Sequence, residues 1–128
     1  MTYLWIALGG AVGSVARFAL ATFIARRFGD NLPWGTILVN ITGSFLIGVL
    51  AALSESGGRL AGSINLQRFL IVGICGGYTT FSSFSVQTLD LARSGHVVAA
   101  GLNVVLSVTL CLVAVWCGHL LGGAFREN

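Results

Sequence analysis

Residues Gly73 to Gln87 read GICGGYTTFSSFSVQ and put two adjacent glycines, two threonines and three serines inside an otherwise apolar run. What surrounds them decides how they are read. Of the 128 residues, 55% are hydrophobic and 9% charged, with no lysine at all, which lies outside the range of soluble domains. The chain belongs in a membrane. A bilayer core takes about 20 apolar residues per helix, and four such runs can be marked: Leu4 to Ile24, Trp34 to Leu53, Phe69 to Leu91 and Val97 to Leu121. The expected fold is an all-α membrane protein of four transmembrane helices, a single domain over residues 1–128.

The first run is not a signal peptide on this reading. It lacks a basic n-region, is long for an h-region and carries Arg17 within it. Cys75, Cys111 and Cys117 fall inside spans without CxxC spacing and read as small hydrophobes. Arg26, Arg27, Gly29, Asp30, Asn31 and Pro33 form a first loop, Ser54 to Leu66 a second, and Ala92 to His96 a short third that makes the last two spans antiparallel neighbours.

Charge placement gives no orientation. One side carries Arg26, Arg27 and Arg93 and the other Arg59, Arg68 and Arg126, so the positive-inside rule returns a tie. Either a small bias is missing by accident, or the chain inserts both ways and pairs with its inverted copy. Four helices are thin material for a pathway, and a two-fold assembly would supply eight. Gly9 and Gly13, with Gly10 and Ser14 beside them, offer a face for close helix approach, a weak signal in a chain with 18 glycines.

Polar residues within the spans are costly in lipid. Thr36, Asn40 and Gly43 form one stripe on the second span, with Thr42 and Ser44 beside it, and Asn103, Ser107, Cys111, Ala114 and Gly118 one on the fourth. Such groups serve either as glue between helices or as the lining of a path. Arg17, the only charge deep within a span, is either a structural anchor or part of an anion's surroundings.

The opening stretch now has a physical reading. Gly76 and Gly77 are expected to interrupt the third span near mid-membrane, with Tyr78, Thr79 and Thr80 non-helical, which lipid tolerates only where backbone is buried in protein or faces a wet cavity. Past the break the next half-helix starts with free N–H groups and the preceding half ends in exposed carbonyls; one end attracts anions, the other a cation. Phe81 and Phe84 lie three apart on the face of Thr88, amid Ser82, Ser83 and Ser85. Ring edges are positive, so with an Asn40 N–H they offer weak, multiple contacts of the kind conduction requires.

Three segments carry a resemblance: GGAVGSVARF at Gly9 to Phe18, PWGTILVNITGSF at Pro33 to Phe45, and GICGGYTTFSSFS at Gly73 to Ser85. In order and spacing they resemble the signature segments of the Fluc fluoride channels, also called CrcB. The resemblance implies an antiparallel, dual-topology homodimer in the bacterial inner membrane, with two fluoride pores and a structural Na⁺ at its centre, exporting fluoride passively. By the same matching Phe81, Phe84 and Asn40 would line the pore, with Thr80, Ser82 and Ser83 in its hydroxyl-rich segment and Thr36 and Ser107 on a polar track. The Gly76 and Thr79 carbonyls of both subunits would hold the Na⁺, and Arg17 would have a structural or vestibule role. Gln87 departs from the glutamate of many relatives, which leaves any role tied to that charge in doubt.

Other classes fit less well. A small proton-coupled multidrug-type transporter needs a carboxylate inside a span, and only Asp90, near the end of the third, is a candidate. His96 and His119 sit at or near span ends and do not pair as haem ligands. No Walker loop, carboxylate pair or Ser/His/Asp context argues for an enzyme, and GGAVG lacks a surrounding βαβ unit. The loop arginines suit lipid head groups rather than nucleic acid.

Overall fold

The computed structural model describes residues 1–29 and 31–125; Asp30 of the first loop and Arg126 of the charge count lie outside the described residues. Those described are all helix and loop, without a strand. The helices are α1 (Thr2–Phe28), α2 (Trp34–Ser54), α3 (Ile64–Gln67), a π-helical stretch (Arg68–Cys75), α4 (Gly76–Tyr78), α5 (Phe81–Arg93) and α6 (Val97–Ala124). Four continuous or near-continuous rods are long and apolar enough to cross a membrane: α1, α2, the Ile64–Arg93 run and α6. All four expected spans are present, the first and third extended at both ends and the second and fourth only at their C-terminal ends. With this composition the chain is a multi-pass membrane protein.

Short connections use left-handed glycines. Gly29, Gly57 and Gly95 all have positive φ, the backbone setting that glycine adopts without a Cβ clash. At Gly95 the consequence is explicit: Gly95 N–H donates to Ala92 O at 3.2 Å and His96 N–H to Leu91 O at 2.9 Å. This is a Schellman ending, and it folds α6 back beside α5 within three residues.

Inside the bundle, glycine has a different use. Burial in α2 falls on two sides of the helix, with Gly35, Thr36, Val39 and Gly43 on one and Ile37, Gly48 and Ala52 on the other, so that helix sits at the centre. Gly48 lies on the Val115 carbonyl of α6, while Gly118 and Gly122 lie on the Phe45 and Val49 carbonyls of α2. A Cβ at any of these would collide with backbone. Apolar side chains gain little by leaving lipid for protein, so close backbone packing of this kind is what holds such helices together. Gly9 and Gly13 do the same within the chain: they press on the Phe69 and Ile74 carbonyls of the π-helical stretch.

The third rod corrects one expectation. Gly76, Gly77 and Tyr78 are helical, and the interruption falls at Thr79 and Thr80. Gly77 is small because the Gly10 backbone lies against it, with its carbonyl and Cα both in the way of any Cβ. Gly77 therefore serves helix contact, while Gly76 is exposed with no close neighbour to a Cβ, and the helix breaks just beyond them for a different reason, given below.

Gly118→Ala is predicted to destabilise the protein by roughly 1–3 kcal/mol, the usual cost of overpacking. Gly62→Ala, where a Cβ meets open space, should leave stability unchanged. Unfolding midpoints in detergent mixtures, compared with the wild-type chain, check both.

Candidate functional site

Thr79 and Thr80 are extended, at φ −80°, ψ 155° and φ −151°, ψ 106°. Two extended residues between helices leave backbone groups that lipid cannot satisfy. Asn40 of α2 satisfies them. Its Nδ2 donates to Thr80 O at 3.1 Å, and Thr80 N–H donates to its Oδ1 at 2.8 Å. The carboxamide thus pairs with the Thr80 backbone as a second strand would. Because Thr80 N–H is committed to Asn40, it does not close the helical bond onto Gly76 O, and that carbonyl is released from the ladder.

Both threonine side chains complete the break. Thr79 turns its N–H and its Oγ1 onto the Cys75 carbonyl at 3.0 and 2.9 Å, which ends the preceding helix. Thr80 Oγ1 accepts from Ser83 N–H at 3.1 Å and caps α5. Gly43 leaves room for the Thr79 methyl and the Tyr78 ring, and Tyr78 Oη shares a hydrogen bond of 2.8 Å with Thr42 Oγ1. A single turn of α2, Asn40 to Gly43, therefore holds the whole interruption.

Hydroxyl protons can be followed around Thr80. Its O–H donates to Ser83 Oγ at 3.0 Å, so the 3.2 Å contact with Ser82 Oγ is a bond in which Ser82 donates. Each hydroxyl has a single proton. Ser83 consequently keeps its own O–H uncommitted among these contacts. Phe81 and Phe84 stand with ring centroids 5.2 Å apart and planes tilted by 50°. Phe84 is buried while Phe81 is 76% exposed on this chain.

A cavity of about 720 Å³ opens beside the break, between α1, the start of α2 and α5. Thr36, Thr80 and Ser83 line it along with Arg17 and Gln87, and Asp90 and His96 are on its wall near the third loop. Thr80, Ser83, Gln87 and Asp90 recur at three and four residues, so one face of α5 is a polar ladder leading from the loop end to the break. Gln87 Oε1 is buried without a partner among the described residues. Such an acceptor calls for a donor from within the cavity, such as water.

The residues singled out by sequence fall into two adjoining groups. Arg17, Thr36, Thr80, Ser83 and Gln87 share the cavity; Asn40, Phe81, Ser82 and Phe84 surround the break, with Gly76 and Thr79 at its upstream end. Ser107 is elsewhere: it is buried on α6 and donates to Asn103 Oδ1 at 3.3 Å. Sequence reasoning did not anticipate the Thr42–Tyr78 pair or the cavity positions of Asp90 and His96. The spacing of Thr42 beside the Asn40 stripe was its only trace.

Comparison with known proteins adds a second line. The family model described as CrcB-like protein, Camphor Resistance (CrcB) matches residues 4–119. The chain belongs to the CrcB family. Among its relatives, the protein named Fluoride-specific ion channel FluC from Methylocella silvestris is 48% identical over 127 residues, covering 99% of this chain and 97% of the relative. That of Opitutus terrae is 54% identical over 118 residues, 92% and 89% of the two chains, and that of Rhodospirillum rubrum 52% over 120, 94% and 93%. All three signature segments of this CrcB chain lie within the matched residues, and two of them supply the two sides of the Asn40–Thr80 pairing.

In this CrcB chain, Asn40→Ala would strand the Thr80 N–H and C=O. A loss of roughly 1–3 kcal/mol is predicted, the cost of a buried group left unpaired. Thr80→Val, which removes the cap but keeps the backbone pair, should cost about 1 kcal/mol. Reversible unfolding of purified protein in mixed detergent measures both.

Proposed function

We propose that the chain is a fluoride-selective channel that lets cytoplasmic fluoride leave a bacterial cell passively, down its electrochemical gradient, across the inner membrane. The observation that carries this is the near full-length identity of 48% and 54% to relatives named fluoride-specific ion channels. Geometry supports it independently of the name. A small anion that gives up water needs several donors at once, yet none so strong that it stays.

The break supplies donors of that kind. On our reading the ion passes Thr36 and Ser83 in the cavity, with Arg17 and Gln87 at the vestibule, and then meets Asn40, Thr80, Ser82 and the ring edges of Phe81 and Phe84. Asn40 Nδ2 has a second hydrogen beyond the one given to Thr80 O, and the first amides of α5 carry the positive end of its dipole. Ser107, buried on α6 beside Asn103, is the remaining member of the proposed track. Among the described residues no arginine stands at the break itself, which keeps the anion from being trapped.

The assembly we propose is an antiparallel, dual-topology homodimer with the break near mid-membrane. Equal arginine counts on the two sides support it, as does the 76% exposure of Phe81, a ring that a second copy would shelter. Gly76 and Thr79 carbonyls suit a structural Na⁺ between the copies: Gly76 O is free of the helical ladder, Gly76 is exposed, and carbonyl oxygens are hard ligands for a hard cation. When bound, the ion would supply fixed positive charge among those carbonyls. A proton-coupled transporter finds no comparable support, because Asp90 is exposed near the end of α5 rather than held within the bundle.

The test is anion efflux from liposomes holding the purified protein, loaded with fluoride or with chloride and opened electrically with valinomycin. Fluoride release without chloride release is predicted, and Phe81→Ile should fold yet lose most of the fluoride flux. Equal release of both ions, or none from folded protein, contradicts the reading.

A further inference from the structure

Phe84 is the only buried residue of α5, so apolar packing alone fixes the roll of that helix poorly. Asn40 holds one end through Thr80. A second hold lies one turn past Phe84. Thr88 Oγ1 donates to the Phe84 carbonyl at 2.7 Å and accepts from Asn103 Nδ2 of α6 at 2.8 Å; Asn103 Oδ1 in turn accepts from Ser107 Oγ at 3.3 Å. Every donation runs in one direction, from α6 into the peptide of Phe84, an order in which successive bonds strengthen one another.

Asn103 is 0% exposed. A leucine there would enter the membrane at lower cost, and a buried carboxamide is tolerated only when its bonds are made. We infer that Asn103 and Thr88 are positioning residues of the ion path, which do not themselves meet the ion: the Ser107–Asn103–Thr88 relay sets the roll of α5, and so aims the Phe81–Phe84 ring pair. This rests on the fluoride-channel reading and gives Ser107 a place in the relay rather than a place only on the track. Thr80 and Thr88 then bracket the two rings with one hydrogen-bonded fixture on each side, one to α2 and one to α6. The back-bond of Thr88 to the residue four before it is also of the kind that bends a helix locally, here at the ring-bearing turn.

The experiment is fluoride and chloride efflux from liposomes holding full-length Thr88→Val, Thr88→Ser, Asn103→Leu or the Thr88→Val/Asn103→Leu pair, beside wild-type protein. Thr88→Val and Asn103→Leu are each predicted to lose about tenfold in fluoride flux, since misplacing a site by about 1 Å costs up to about 10²-fold. The fluoride-to-chloride ratio should fall as well, the double variant should be no worse than the poorer single one, and Thr88→Ser should behave as wild type. Protein that is merely less stable would give fewer working channels at an unchanged ratio, so a flux loss without a change in the ratio also overturns the inference. Folded Thr88→Val with wild-type flux and ratio, or Thr88→Ser as impaired as Thr88→Val, overturns the inference; if Thr88→Val does not fold, Thr88→Ala decides by the same criteria. Wild-type protein that passes no fluoride would overturn the channel reading and this inference with it, so the two failures are told apart.

Discussion

Two residues of extended backbone inside an apolar bundle must have their hydrogen bonds met by protein. Asn40 meets those of Thr80, and much of the surrounding structure follows from that pairing. It moves Thr80 N–H off the helical ladder, which ends one helix and frees the Gly76 carbonyl. It also leaves the Thr80 side chain free to start the next helix. A side-chain amide is suited to this because it carries a donor and an acceptor in the same spacing as a peptide.

For the pairing to form, α2 must stand close to the third rod and be held there. Glycine contacts do this on both sides. Gly43 admits Thr79 and Tyr78, and Gly48, with Gly118 and Gly122, sets α2 against α6 at backbone distance. On the far side Gly9, Gly13 and Gly73 bring α1 onto the π-helical stretch that leads into the break. Small changes of volume at these points are therefore transmitted to the site, because backbone cannot move aside as a side chain can.

The four rods were legible because lipid imposes length and apolarity on any helix that crosses it. The site was legible in part. Asn40, Thr80, Phe81, Ser82, Ser83 and Phe84 do come together around the break, and polar residues in apolar spans were the signal that singled most of them out. Gly76 and Gly77 were misread as the cause of the interruption, since residue type alone does not tell a glycine that breaks a helix from one that lets another helix approach. Asn40 was read as a donor to the ion alone; the sequence does not reveal that both ends of its amide engage Thr80. The π-helical turn at Arg68–Cys75 has no sequence signature, because it reflects backbone register rather than side-chain pattern.

The most direct test of this account is amide hydrogen exchange at Thr80, measured by NMR on labelled protein in a membrane mimetic. Thr80 N–H is predicted to be protected although it lies in neither helix, and Asn40→Ala should speed its exchange by about 10- to 100-fold, as a buried bond of this kind is worth roughly 1–3 kcal/mol, while amides in the middle of α2 stay protected. Exchange at Thr80 that is fast in the wild-type chain, or unchanged by the substitution, would contradict the pairing on which the rest is built.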